Sequence, residues 1–298
     1  MKEQDWRDER DSRTLRYAQR RLNPDAWVAI AATSEYVETY AGQVAAITLI
    51  NLLARMTPSV ALDVPAVPIV EPLPWAGRLL PDLMLEMAYG ADPYGRFMTA
   101  SSMDRLRLCI GNEGPFVVHG AGWGSYIGPT ESPLVADAAE INPFGAAFAA
   151  ILAGAHLFVG DGSYPLTRIL FDTLRWSDRS LAGPAPLTQT ELGRVWSIGV
   201  GSVGTAMLFF LTLITRRFSV TLFDHDLVRV HNLDRSPILR HADVGRAKVD
   251  AVTDYLREVG VSDIQADAVA LHESLIWKQR SQGVPDLVLP AANEYDVR

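Results

Sequence analysis

The sequence contains a single cysteine, Cys109, among 298 residues. That excludes an intrachain disulfide and any Cys-x-x-Cys zinc clip, and it fits a reducing compartment. Clustered cations are also missing: Lys and Arg number 27 against 35 Asp and Glu, for a formal net charge of −8. Binding to nucleic acid by phosphate neutralisation needs such clusters, so no nucleic-acid partner is expected. The one basic stretch, RYAQRRL (16–22), reads as a helix face. Long apolar runs are absent too. The longest, AMLFFLTLI (206–214), is too short to span a bilayer, so no membrane association is expected. The opening MKEQDWRDERDSR is too charged for a signal peptide. These absences together predict a soluble, cytoplasmic chain.

What is present is globular: 48% hydrophobic and 21% charged residues, in a length that accommodates one large or two ordinary domains. The Pro-, Gly- and polar-rich segment DRSLAGPAPLTQTELGR (178–194) breaks the pattern. It predicts a domain over 1–177, a linker over 178–193 and a second domain over 194–298. In the first half, AWVAIAA, SVALDVPAVPIV, LRLCIG and PFVVHGAG read as strands, and YAGQVAAITLINLLARM and NPFGAAFAAILAGAHLFVG as helices. In the second, RVWSIGVG, SVTLFDHD, SDIQADAVA and PDLVLPAA read as strands around the helices SVGTAMLFFLTLITRR and GRAKVDAVTDYLREVG. Alternating strand and helix predicts an α/β, Rossmann-like fold with two tandem parallel sheets. Both halves begin with a Trp, an apolar strand, a small-residue turn, an apolar helix and a strand ending in Asp (Asp63 and Asp224), the pattern of a degenerate internal repeat.

The second half carries the chemistry. Gly199, Gly201 and Gly204 sit directly between a strand and a helix. In that context glycines permit a tight turn and close approach of backbone to phosphate, which then meets the helix N-terminus. Asp224 ends the next strand, where an acid accepts hydrogen bonds from ribose hydroxyls. So far NAD and ATP fit equally. A site that only holds NAD leaves the following Asn232, Arg235 and Lys248 idle, whereas attack at a phosphorus builds charge that cations stabilise. A second glycine cluster, HGAGWGSYIG (119–128), has no clear helix behind it and is a weak phosphate-loop candidate.

The set G-V-G-S-V-G, Asp224-His225-Asp226, Asn232-Leu233-Asp234-Arg235 and Gly245-Arg246-Ala247-Lys248 resembles the ThiF/MoeB-type adenylating enzymes, which include the ubiquitin-activating enzymes. The resemblance implies ATP-dependent adenylation of the C-terminal glycine carboxylate of a ubiquitin-like or sulfur-carrier protein. It implies that Asp224 holds the ribose while Asn232, Arg235 and Lys248 position and neutralise the phosphates. Asp226 would join the nucleotide site or cap the following turn. The family's magnesium-holding Asp aligns with Asn293, a weaker neutral ligand for Mg2+, with Glu294 beside it. In LRYAQRRL (15–22), Arg20 stands next to the position of an Arg that reaches the ATP phosphates across the family's paired halves.

The first half lacks the glycine pattern in AATSEYVETYAG and the cations after DVPAVPIV, so the resemblance implies an inactive adenylation half. Cys109, in mid-strand with no base nearby in sequence, reads as a structural thiol. The chain reads as a fragment that lacks the family's catalytic-cysteine region. Fused halves are similar to those of conjugation systems, a bacterial ubiquitin-like system in phage defence included, and imply a ubiquitin-conjugating-enzyme-like partner downstream. Two alternatives stay open from the residues: an NAD-dependent oxidoreductase, and a non-catalytic scaffold that binds a ubiquitin-like protein.

Overall fold

The computed structural model describes residues 3–14, 27–100, 106–137, 139–159, 168–178, 187, 191–269 and 283–292. The chain divides into two compact units, Arg13–Thr188, and Met1–Ser12 together with Gln189–Arg298.

In the N-terminal unit, β1 (Val28–Ala32), β2 (Ser59–Asp63), β3 (Arg96–Thr99), β4 (Leu106–Ile110), β5 (Val117–Ala121), β6 (Gly124–Gly128) and β7 (Ile169–Asp172) form one sheet ordered β3-β2-β1-β4-β5-β6-β7. The continuous apolar run of β1 suits a central strand that is buried on both faces. A short helical turn, α2 (Ser34–Val37), leads into α3 (Tyr40–Met56), whose Thr39 cap accepts a hydrogen bond from the Gly42 N–H. Nearly every α3 side chain is buried, as befits a helix apolar all round that lies against α4 (Leu80–Ala91) and α5 (Phe144–Val159).

Strands β1 to β5 run parallel, whereas β6 and β7 pair antiparallel. The sheet is thus parallel-dominated, as expected, with antiparallel strands added at one edge. The second glycine cluster is the β5–β6 hairpin, with Gly122 in the left-handed region at φ +55°; the next helix, α5, starts only at Phe144, and its Gly145 N–H donates to the Gly122 carbonyl at 2.9 Å. Only Cys109↔Val117 and Ile110↔Val118 pair between β4 and β5. Because β5 starts where β4 ends, a short loop connects two parallel strands that would otherwise need a long crossover.

The C-terminal unit has an all-parallel sheet of β8 (Gly193–Ile198), β9 (Phe218–Phe223), β10 (Asp263–Asp267) and β11 (Leu287–Pro290), ordered β10-β9-β8-β11. Helix α6 (Ser202–Ile214) links β8 to β9, and α7 (Lys248–Glu258) leads into β10. Its order repeats the β3-β2-β1-β4 portion of the other sheet, which gives the degenerate repeat a topological basis.

Helix α1 (Glu3–Asp11) also belongs to this unit, although the expected first domain ran from residue 1. Its Trp6 is fully buried edge-on against His241, with ring centroids 5.7 Å apart, and the Arg10 guanidinium lies over the Trp6 ring at 5.2 Å. A charged helix is thus anchored by its one large aromatic. No helix among the described residues is long and apolar enough to cross a membrane.

Candidate nucleotide site

The three loop glycines answer three different demands. Gly199, at φ +86°, makes the left-handed turn off β8 and donates its N–H to the Phe223 carbonyl at 2.8 Å. At Gly204 a Cβ would lie 2.1 Å from the Gly199 carbonyl oxygen, so only glycine lets α6 sit this close to the loop. Gly201, the N-cap of α6, has an ordinary φ of −72°, and a Cβ there would meet nothing within 4 Å. Its glycine therefore leaves an open cradle in front of the helix, whose first N–H groups and dipole end favour an anion. The chain's residues fit a nucleotide phosphate here.

Asp224, one residue past β9, faces that loop. Its Oδ2 accepts the Val200 N–H at 2.9 Å and its Oδ1 accepts the Asp226 N–H at 2.9 Å. These bonds fix an acid at the carboxyl end of the strand, where ligands of open α/β sheets collect. Lys248, the first residue of α7, is only 6% exposed. Its Nζ donates to Asp226 Oδ2 at 2.6 Å and lies 3.8 Å from Asp224 Oδ1. A small ribbon holds it there: Leu227 bridges Ala247 antiparallel, and the Lys248 N–H bonds to the Asp226 carbonyl at 3.0 Å.

Asn232 and Arg235 lie on the same β9–α7 connection, each with a local partner. The Asn232 Oδ1 accepts the Arg229 N–H at 2.8 Å and closes the 3₁₀ turn Val230–Asn232. Arg235 Nη1 lies 3.3 Å from the nearly buried Asp234 carboxylate. The structure thus brings Gly199, Gly201, Gly204, Asp224, Asp226 and Lys248 together at the carboxyl ends of β8 and β9, and puts Asn232 and Arg235 on the adjoining loop. Asp226, expected at the nucleotide or as a turn cap, accepts from the Lys248 ammonium. Arg20, Asn293 and Glu294 lie outside the described residues. Among the described residues no cluster of His, Cys, Asp and Glu is fit to hold a metal ion.

The equivalent place in the N-terminal unit is built differently. Where the glycine loop would stand, α2 comes after β1, and the Tyr36 hydroxyl both donates to the Gly120 carbonyl at 2.6 Å and accepts its N–H at 3.0 Å. A Cβ at Gly42 would lie 2.0 Å from the Tyr36 carbonyl oxygen, so α2 and α3 meet without a gap. Asp63, the counterpart of Asp224, is ion-paired with Arg107 of β4. Cys109 is half-buried, and burial pushes its thiol up, away from nucleophilic thiolate character.

The order and connections of β8 to β11 make the C-terminal unit Rossmann-like. Residues 178–294 match the ThiF family, and residues 27–161 match the BilD N-terminal domain. The match places residues 178–294 in the ThiF family. No curated protein matches its sequence. Solved structures similar to part of it include the Escherichia coli tRNA N6-threonylcarbamoyladenosine dehydratase TcdA, at 20% identity over 34% of this chain and 42% of that one, TM-score 0.31. PaaA is similar at 22% identity over 33% and 30%, TM-score 0.30. Escherichia coli MccB, solved with a variant of MccA, is similar at 18% over 34% and 29%, TM-score 0.30. The chain therefore spans less than half the length of each of these structures.

Proposed function

We propose that the C-terminal unit binds ATP and transfers its adenylyl group to the C-terminal glycine carboxylate of a ubiquitin-like or sulfur-carrier protein. The observation that carries this reading is the juxtaposition, at the carboxyl ends of β8 and β9, of an open glycine cradle at Gly201, a fixed acid at Asp224 and a buried lysine at Lys248. The α6 N-terminus receives phosphate and Asp224 accepts from the ribose hydroxyls. Lys248, with Arg235 and Asn232 from the adjoining loop, faces the charge that grows as the carboxylate oxygen attacks the α-phosphorus and pyrophosphate departs. An oxidoreductase holding NAD would leave the buried lysine without a task. Magnesium would enter with the triphosphate, and Asn293 and Glu294 are its candidate ligands. The N-terminal unit is an inactive half, and a ubiquitin-conjugating-enzyme-like protein is the downstream partner.

The test is ATP–pyrophosphate exchange with glycine-ended carrier proteins, in the wild type and in Asp224→Ala and Lys248→Ala variants. Exchange that needs the carrier and falls about 10- to 100-fold or more in both variants supports adenylation, since each charge-assisted contact contributes about 1.5–3 kcal/mol and Asp224 also holds the loop. Carrier binding with ATP bound but no exchange would leave the scaffold reading standing.

A further inference from the structure

Lys248 has two carboxylates in reach and uses them unequally: Asp226 at 2.6 Å and Asp224 at 3.8 Å. The Lys248 side chain is buried, as is that of Asp224, while Asp226 is more than half exposed, with His225 Nε2 3.7 Å from its other oxygen. A buried ammonium requires a counter-ion. If Asp226 did not supply it, the nearest remaining carboxylate would be Asp224, already bound to Val200 N–H and Asp226 N–H. Lysine closing on Asp224 would consume the acceptor capacity that a ribose needs, because a carboxylate has about four lone-pair sites in all. The backbone geometry keeps the two roles apart. The ribbon at Leu227 and Ala247 and the Lys248 N–H bond to the Asp226 carbonyl seat the lysine over Asp226 rather than over Asp224.

We infer that Asp226 is a positioning residue: its carboxylate captures the Lys248 ammonium and holds it off Asp224, which stays available to a nucleotide's ribose. The inference rests on the proposed ATP site, and it assigns Asp226 a task that involves no contact with ATP. Its mark is therefore coupling. Asp226→Asn keeps the shape and removes the charge, so Lys248 swings to Asp224 and ATP binding weakens through the ribose. When Lys248 is already Met, there is no ammonium for Asp226 to hold off Asp224.

The experiment is a double-mutant cycle on the chain, Asp226→Asn against Lys248→Met, read by calorimetric titration of ATP and of 2′,3′-dideoxy-ATP. Asp226→Asn alone is expected to weaken ATP about 5- to 20-fold and to shrink the preference for ATP over the dideoxy analogue. In the Lys248→Met background the same change is expected to alter ATP affinity by less than about twofold, the tolerance of independent sites. Additive losses, or an undiminished preference for the ribose hydroxyls in Asp226→Asn, would overturn the proposal and put Asp226 on the nucleotide itself. A wild type that binds no ATP defeats the functional reading instead. Urea unfolding of the same four proteins without nucleotide then decides whether Asp226 and Lys248 are a pair: non-additive midpoints support it and additive ones overturn it.

Discussion

At the scale of the residue, burial decides what a side chain is worth. His119 on β5 is 2% exposed, packs edge-on against Tyr36 with ring centroids 4.5 Å apart, and its Nδ1 meets no hydrogen-bond partner among the described residues. Burial pushes its pKa down to about 4 from 6.5. The folded value lies below the unfolded one, so as pH falls the unfolded chain takes up the proton first. Stability from this group is full above about pH 6.5, declines through the window down to about pH 4, and totals roughly 3 kcal/mol from the shift of about 2.5 units. His119→Phe keeps the aromatic contact and loses the proton site. Urea midpoints of wild type and variant should diverge in their pH slope across that window; parallel slopes would show that His119 titrates normally. The buried state of His119 is not written in its neighbours, since a histidine where an apolar strand runs into a glycine cluster carries no local sign of the face it takes. The Lys248 partnership is hidden for a related reason. Lys248 and Asp226 are 22 residues apart and meet only because an antiparallel bridge folds the β9–α7 connection back on itself. By contrast, Asp224 stands out in the sequence itself, because a strand-ending acid after a glycine loop is a local signal.

At the scale of the element, the glycine loop separates structural from ligand-facing demands, and two substitutions tell them apart. A Cβ at position 204 would run into the Gly199 carbonyl. Gly204→Ala must therefore lift α6 off the loop, with an expected loss of roughly 1–3 kcal/mol, the usual cost of overpacking. A Cβ at 201 meets open space at an unstrained φ. Gly201→Val should keep stability within about 0.5 kcal/mol while its side chain fills the cradle and weakens ATP binding at least about tenfold. Urea unfolding and ATP titration of both variants check this; equal destabilisation by the two would mean that the cradle is not open. The same scale shows which elements are readable. Helices α3 and α6 and strands β1, β8 and β9 are long apolar runs bounded by turn residues, and each forms where its pattern places it. Strands β6 and β7 are four or five residues long, and whether such a strand pairs parallel or antiparallel is settled by its neighbours in the sheet rather than by its own residues. Helix α1 misleads for the opposite reason: its charges describe a surface helix, and the burial of Trp6 and Arg10 depends on His241 and its surroundings, more than 200 residues away.

At the scale of the whole molecule, the same β-sheet order occurs twice with different contents. In the C-terminal unit the turn after the first strand is glycine, the strand-ending acid accepts backbone N–H groups, and a lysine stands beside it. In the N-terminal unit the turn is a helix whose Tyr36 hydroxyl is bonded in both directions to Gly120, and the acid is neutralised by Arg107. Phosphate needs unpaired N–H groups and room for its oxygens, and ribose needs an acceptor that is not already spent on a guanidinium. The first unit provides neither at that place. Calorimetric titration of the whole chain with ATP should therefore give about one equivalent, abolished by Asp224→Ala or Gly201→Val and untouched in stoichiometry by Asp63→Asn, which releases Arg107 without opening the Tyr36 turn. Two equivalents, or a site that survives Asp224→Ala, would mean that the first unit binds nucleotide by some other surface. A duplicated frame carries one site when one copy keeps the chemistry and the other has turned its loop and its acid to internal contacts.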